Sequence, residues 1–201
     1  MEQRIFRAVL KAGFDAKRMH KRYNSPRIPA NIPYVVDNIW EYLRPENMPS
    51  RRHSVYASPT PELALKNASG IAVDREEYVV CEIIYKSSDL KIAQLEVSDA
   101  REHPDITRLS KRVNSFIRNT YIDADWDLRR KLAPLLTPAL RRSELQEIMD
   151  AYGPLNNLIT DAKGESTIWT EASTVISKDS DGEIFFELVE NANYLMHPIN
   201  H

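Results

Sequence analysis

The chain divides by the rhythm of its apolar positions. Ile5-Phe6-Arg7-Ala8-Val9-Leu10 is a short, almost continuous apolar run stopped by Ala12-Gly13, which predicts a strand over 5–10. Val36, Ile39, Trp40 and Leu43 recur at helical spacing and predict a helix over 35–43. A strand carrying Val55 and Tyr56 then breaks at Ser58-Pro59-Thr60-Pro61 and leads into an alanine-rich helix over 61–68. Two stronger strand signals follow over 77–85 and 91–97, separated by the turn-forming Ser87-Ser88-Asp89. The middle of the chain changes period. Ile106, Leu109, Val113, Phe116 and Ile117 form one helical stripe, and Leu145, Ile148, Met149 and Tyr152 form another. Residues 125–136 add a helical piece ended by Pro134 and Pro138. The tail reads as strand again, over 166–177 and over 183–189, with the turn Lys178-Asp179-Ser180-Asp181-Gly182 between. Strands at both ends with helices between predict an α+β fold, a single domain over 1–201 with a mostly helical insertion at about 104–160.

Composition narrows the function classes. A chain of 201 residues can bury a sizeable core, and a net charge of −2 gives no global pull toward nucleic acid or a membrane surface. The single cysteine, Cys81, cannot form an intramolecular disulfide, and its place in Tyr78-Val79-Val80-Cys81 predicts a buried, inert thiol. No signal-peptide pattern opens the sequence and no apolar run approaches ~20 residues, so no membrane partner is expected and the expected site of action is the cytoplasm, of the producing or of a target cell. Seven of the twelve prolines fall between Pro26 and Pro61, which predicts extended, loop-rich backbone around a site. Five glycines leave no room for a glycine-rich dinucleotide fingerprint, and neither a P-loop nor zinc-ligand spacing occurs.

A few residues stand out against this background. Arg7 interrupts an apolar strand, a costly position unless the guanidinium is paired or faces a cleft. Ser50-Arg51-Arg52-His53 places three cations in a row before the Tyr56 strand, suited to gripping a pyrophosphate or simply to a solvated loop. Ser58 closes the Tyr56 strand, where serine is also the routine turn residue. Glu183 opens the aromatic run Ile184-Phe185-Phe186, either as a functional carboxylate or as the flank of a hairpin turn.

The segment Ser54-Val55-Tyr56-Ala57-Ser58 followed by a helix resembles the central element of the ADP-ribosyltransferase superfamily, in the diphtheria-toxin and poly(ADP-ribose) polymerase branch. Phe6-Arg7 before it, and Glu183 followed by Asn193-Tyr194-Leu195-Met196 after it, extend the resemblance to both ends of the chain, with little of 99–160 covered. The resemblance implies a split mixed or antiparallel sheet core that binds NAD. Cleavage of the nicotinamide bond passes through an oxocarbenium-like ribose, which calls for a cation or donor on the dinucleotide, an aromatic platform and a carboxylate. In those roles the resemblance places Arg7 and Tyr56 on the cofactor, assisted by Arg52, Arg51 and Ser58, with Glu183 as catalytic carboxylate and Glu171 and Glu187 as its rivals. The implied activity is mono-ADP-ribosyl transfer from NAD to a protein or nucleic-acid acceptor, in a bacterial or phage toxin or effector with an antitoxin or immunity protein as partner. A second pattern, the RES-type NAD-degrading toxin domain, shares the early arginine and the tyrosine strand but carries a glutamate where this helix has Lys66-Asn67-Ala68; it implies NAD glycohydrolase or phosphorylase activity. The rival class is a nucleic-acid-binding module using Arg108, Lys111, Arg112, Arg118, Arg129, Arg130, Arg141 and Arg142 as a basic face.

Overall fold

The computed structural model describes residues 3–22, 24–69 and 75–199. In chain order its elements are β1 (Phe6–Leu10), β2 (His20–Lys21), α1 (Tyr34–Leu43), β3 (Val55–Ala57), α2 (Pro61–Ser69), β4 (Tyr78–Ile84) and β5 (Leu90–Gln94). There follow α3 (Pro104–Phe116), a π-helical turn (Ile117–Tyr121), α4 (Trp126–Leu132), α5 (Arg142–Ala151), α6 (Gly153–Glu165), α7 (Ile168–Glu171), β6 (Ile184–Leu188) and β7 (Asn193–Pro198). The fold is α+β. Among the described residues no helix is long and apolar enough to cross a membrane.

The described chain separates into two compact units, one of residues 1–25, 46–99 and 171–201 and one of 26–45 and 100–170. The first holds the strands, all paired antiparallel in two sheets of order β1-β4-β7-β2 and β3-β6-β5. Alternation along a strand decides which face a side chain joins, and every residue of β6 is buried. Ile184, Phe186 and Leu188 of β6 join Ile5, Cys81, Ile83, Tyr194 and Met196 in one apolar core. A second cluster of Phe6, Ala8 and Val80 is covered by Ala64 of α2. Burying a side chain such as Phe186 contributes about 1.5–3 kcal/mol. Cys81 lies within this core, and burial pushes its thiol up to about 11, which keeps it a neutral packing group.

The second unit is helical and wider than the expected insertion at 104–160. It begins at residue 100, runs to 170 and takes in 26–45 as well. The reason is visible in α1. Its Val36, Ile39 and Trp40 are buried, and the Asn38 amide donates to the carbonyls of Leu135 and Thr137 at 3.0 and 2.9 Å while its oxygen accepts from the Leu140 N–H at 3.1 Å. One buried amide thereby ties α1 to a loop about a hundred residues away.

The strand expected over 166–177 is not formed. Its start is the helical turn α7, and only Ser173 pairs with a strand, in an isolated bridge to Gln94. A carboxylate distant in sequence is responsible: Asp105 accepts from the N–H groups of Thr167 and Ile168 at 2.7 and 2.8 Å and from the Ser166 hydroxyl at 3.2 Å. That satisfies the first orphan donors of a helix and overrides the strand preference of Ile168 and Trp169. Helix α6, over a stretch with no strong sequence signal of its own, begins at Gly153-Pro154, where proline's missing N–H costs nothing, and buries Leu155 and Ile159.

Candidate functional site

The two sheets meet at a seam between β1 and β3. Phe6 and Ser58 exchange both backbone hydrogen bonds at 2.8 Å, and beside that bridge the Arg7 guanidinium donates to the Tyr56 carbonyl at 3.0 Å. Arg7 is thus the residue that ties the seam, and it uses one of five N–H donors to do so. Its ring neighbour is also fixed. Tyr56 stands opposite Phe185 in the β3–β6 register and meets it edge-on, with ring centroids 5.2 Å apart and planes at 74°.

A cavity of about 490 Å³ opens at this seam, wholly within the strand-bearing unit. Arg7, Tyr56 and Ser58 line it from the strands, Lys66 and Asn67 from α2, and Ser98, Asp99, Asp181 and Glu183 from the loops that flank β5 and β6. Its size lies within the usual range for small-molecule sites. Phe6, Ala8, Leu63 and Ala64 give the lining its apolar part, and Arg7, Lys66, Asp99, Asp181 and Glu183 its charged part. Asn67 donates to the Ser58 hydroxyl at 3.1 Å, so helix and strand orient one another's polar groups at the wall.

Glu183 reaches the cavity through an extension of the β5–β6 ladder. Its N–H donates to the Val97 carbonyl at 2.8 Å, and its own carbonyl accepts from the Leu95 N–H at 2.9 Å. By strand alternation it shares a sheet face with Phe185, and so with Tyr56. Gly182 makes this path feasible, since a Cβ there would lie 1.7 Å from the Leu95 carbonyl oxygen. Gln94 secures the preceding loop: its amide donates to the Ser177 carbonyl at 3.1 Å and accepts from the Ser177 N–H at 2.7 Å.

Arg7, Tyr56, Ser58 and Glu183 therefore line one cavity, although they span the length of the chain. Arg51 and Arg52 do not belong to its lining. Arg52 is buried, its N–H donates to the Ser50 hydroxyl at 3.2 Å, and both arginines sit in the tight turn before β3. The pyrophosphate grip expected of these two residues thus falls outside the cavity that Arg7, Tyr56, Ser58 and Glu183 line. Glu187 is likewise engaged elsewhere: it is buried and accepts from Arg22 at 2.6 Å and from the Ser50 N–H at 2.8 Å. Glu171 is exposed at the end of α7, outside the lining. Sequence reading missed Lys66, Asn67, Ser98, Asp99 and Asp181. Ser98 and Asp99 reach the cavity only through the fold.

Cations elsewhere near the seam set the local field. The His20 imidazole stacks on Tyr194 with centroids 4.9 Å apart, and burial, followed by the charges of Arg18 and Arg7, holds it below its usual range. Four of the eight cations expected to form a basic face on the helical unit have carboxylate partners. Arg108, Arg112, Arg130 and Arg141 pair with Asp105, Glu165, Asp127 and Glu144, and Arg142 and Arg129 donate to backbone carbonyls.

Comparison with known proteins finds no matching family model, no curated relative and no matching solved structure.

Proposed function

We propose that the chain is an NAD-consuming mono-ADP-ribosyltransferase, built on an ADP-ribosyltransferase-like split sheet, that transfers ADP-ribose to a macromolecular acceptor. The observation that carries the reading is the convergence of Arg7, Tyr56, Ser58 and Glu183 on one cavity of about 490 Å³. In this reading the free donors of the Arg7 fork hold a phosphate or ribose oxygen of NAD, and the Tyr56 ring, braced by Phe185, forms the nicotinamide platform. Ser58, oriented by Asn67, hydrogen-bonds a ribose hydroxyl. Glu183 accepts from the nicotinamide-ribose hydroxyl and stabilises the cation that develops as the glycosidic bond breaks. Nicotinamide leaves neutral, taking the bonding electron pair; the acceptor oxygen or nitrogen attacks the ribose carbon and gives up its proton to solvent water.

The test is incubation of purified protein with NAD carrying a label on its adenosine half, with and without cell lysate. Nicotinamide release accompanied by label on lysate macromolecules is the expected result. Release without transfer would reassign the site to an NAD glycohydrolase. No release in either condition would overturn NAD as the substrate.

A further inference from the structure

The segment that links β1 to β2 carries a charge opposite to that of the whole chain. Between Lys11 and Arg22 stand five lysines and arginines and a single acid, Asp15, in a protein whose net charge is −2. Asp15 is committed to the local turn: its carboxylate accepts from the Lys17 N–H at 2.9 Å and its carbonyl from the Arg18 N–H at 3.1 Å. Arg22 is committed to Glu187. Lys11, Lys17, Arg18 and Lys21 are exposed, and none of their side chains has a carboxylate partner among the described residues.

The backbone that bears these cations is fixed at several points. The Lys11 N–H donates to the Glu77 carbonyl at 2.8 Å, and the Lys11 carbonyl accepts from the Phe14 N–H at 3.1 Å across a turn that Gly13 makes at a φ of 79°. Phe14 packs on the apolar core of the strand-bearing unit. The far end is held by the β2–β7 pairing and by the stack of His20 on Tyr194. Arg18 and Arg7 both act on the His20 imidazole, so the segment lies in the electrostatic neighbourhood of the cavity wall to which Arg7 belongs.

We propose that Lys11, Lys17, Arg18 and Lys21 form a docking surface for the phosphate backbone of a nucleic-acid strand, and that the strand so held is the acceptor of the ADP-ribose. The surface stands by itself; its acceptor role rests on the transferase reading above. Exposed cations without carboxylate partners, on an ordered loop, are what a phosphate chain requires, because each neutralises a phosphate and releases its counterion. Three of the four are lysines, which bind phosphate as point charges but are depleted from protein–protein contacts. That argues against an acidic protein as the occupant. A bilayer would need an apolar face to enter. Residues 11–19 form turns and bends rather than an amphipathic helix, and Met19 is their one exposed large apolar side chain.

The experiment follows the full chain by fluorescence anisotropy with a labelled single-stranded oligonucleotide, without NAD, over a range of salt. The logarithm of affinity should fall with the logarithm of salt at about −0.7 per neutralised phosphate, hence at about −3 for the four cations. Lys17→Ala combined with Arg18→Ala and Lys21→Ala should weaken binding at least about tenfold at low salt and reduce the slope to about −0.7. Lys86→Ala, at an exposed lysine outside the segment, should change neither. Incubation of the same oligonucleotide with adenosine-labelled NAD should label the strand, and the triple variant should label it less, in proportion to its lost binding. Absence of binding at low salt, or a slope that the triple variant leaves unchanged, would overturn the docking surface. So would polyglutamate or phosphatidylserine vesicles bound as tightly as the oligonucleotide. Binding with NAD consumption but no label on the strand would overturn the acceptor role. Binding without any NAD consumption would uphold the docking surface and overturn the transferase reading, and the acceptor role with it.

Discussion

Arg7 holds the backbone of Tyr56: its guanidinium donates to the Tyr56 carbonyl at 3.0 Å, across the line where the two sheets meet. The side chain read from sequence as a cofactor ligand is a fastener of the seam. The two roles separate by substitution. Arg7→Ala removes the fastener and should cost about 1 kcal/mol of stability, the usual net worth of one such bond. Arg7→Lys keeps a cation but loses the planar fork, and should raise the NAD concentration needed for half-maximal rate by roughly tenfold while the fold is kept. Because the Arg7 charge helps to depress the His20 imidazole, His20 observed by NMR should titrate at higher pH in Arg7→Ala. A His20 that does not move would mean that burial and Arg18 account for the whole depression.

Glu183 and Glu187 point to one face of the same strand yet differ in what they touch. Glu183 lines the cavity, whereas Glu187 is spent on Arg22 and the Ser50 N–H. Glu183→Gln should lower turnover by roughly two to three orders of magnitude, as for loss of a preorganised charge, with little change in melting temperature. Glu187→Gln should do the reverse. Loss of a fully buried pair costs about 3–5 kcal/mol, but Arg22 is 32% exposed and solvent screens part of the charge, so about 1–3 kcal/mol is expected. Paired measurements of NAD consumption and chemical denaturation check both. A dead, fully stable Glu187→Gln would exchange the assignments.

The helix at 34–43 was legible because Val36, Ile39, Trp40 and Leu43 repeat at its period, and the strands at 6–10, 78–84 and 184–188 because short apolar runs end at turn residues. What was not legible depended on partners distant in the chain. Nothing local in Thr167-Ile168-Trp169 announces that Asp105 will cap a helix there. Nothing in Asn38 announces that its amide will bind the 135–140 loop and move α1 into the helical unit. The cavity-lining places of Arg7 and Glu183 were legible through chemical cost, an arginine in an apolar strand and a carboxylate before an aromatic one. Arg51 and Arg52 lie outside that lining, and a run of cations reads alike whether it grips a ligand or builds a turn.

The place of Arg52 has its own test. Arg52 is 7% exposed and outside the cavity. Arg52→Ala should therefore leave the NAD dependence of the rate unchanged and lower the melting temperature, since a buried arginine is removed from the turn that leads into β3. A raised NAD requirement in a variant of unchanged stability would return Arg52 to the cofactor.

Acid should weaken the helical unit through Asp105. Burial alone would raise the Asp105 carboxyl, but the N–H groups of Ile168 and Thr167, His103 and the Ser166 hydroxyl outweigh it and hold it below its ordinary value of 3.8. A carboxylate depressed in the folded state stabilises the fold fully above its unfolded value. That stabilisation is lost as pH falls below 3.8 toward the lower folded value. Melting temperature should accordingly drop with acidification through that window. In Asp105→Asn the melting temperature should be lower at neutral pH and the acid-dependent drop smaller. Equal slopes for the two proteins would remove Asp105 as a source of acid lability.

Gly182 gives the sharpest test of how the cavity is built, because the demand on it is steric and can be isolated. Its φ is not in the left-handed region; the constraint is space, since a Cβ would sit 1.7 Å from the Leu95 carbonyl oxygen and 2.9 Å from its carbon, both backbone atoms that cannot rotate away. Gly182→Ala must therefore displace one of the two strands. Overpacking of this kind costs about 1–3 kcal/mol. The Leu95 N–H donates to the Glu183 carbonyl, so the displacement passes directly to the carboxylate. A misplacement of about 1 Å at a reacting group lowers turnover by roughly a hundredfold. Gly164→Ala is the control. It lies inside α6 with nothing within 4 Å of a Cβ, so it should stabilise the protein by about 0.5–1 kcal/mol and leave NAD consumption unchanged. Thermal melts and NAD turnover on the two alanine variants separate the effects. A Gly182→Ala protein that consumes NAD at the wild-type rate would show that Glu183 need not hold the position that the Leu95–Glu183 ladder gives it.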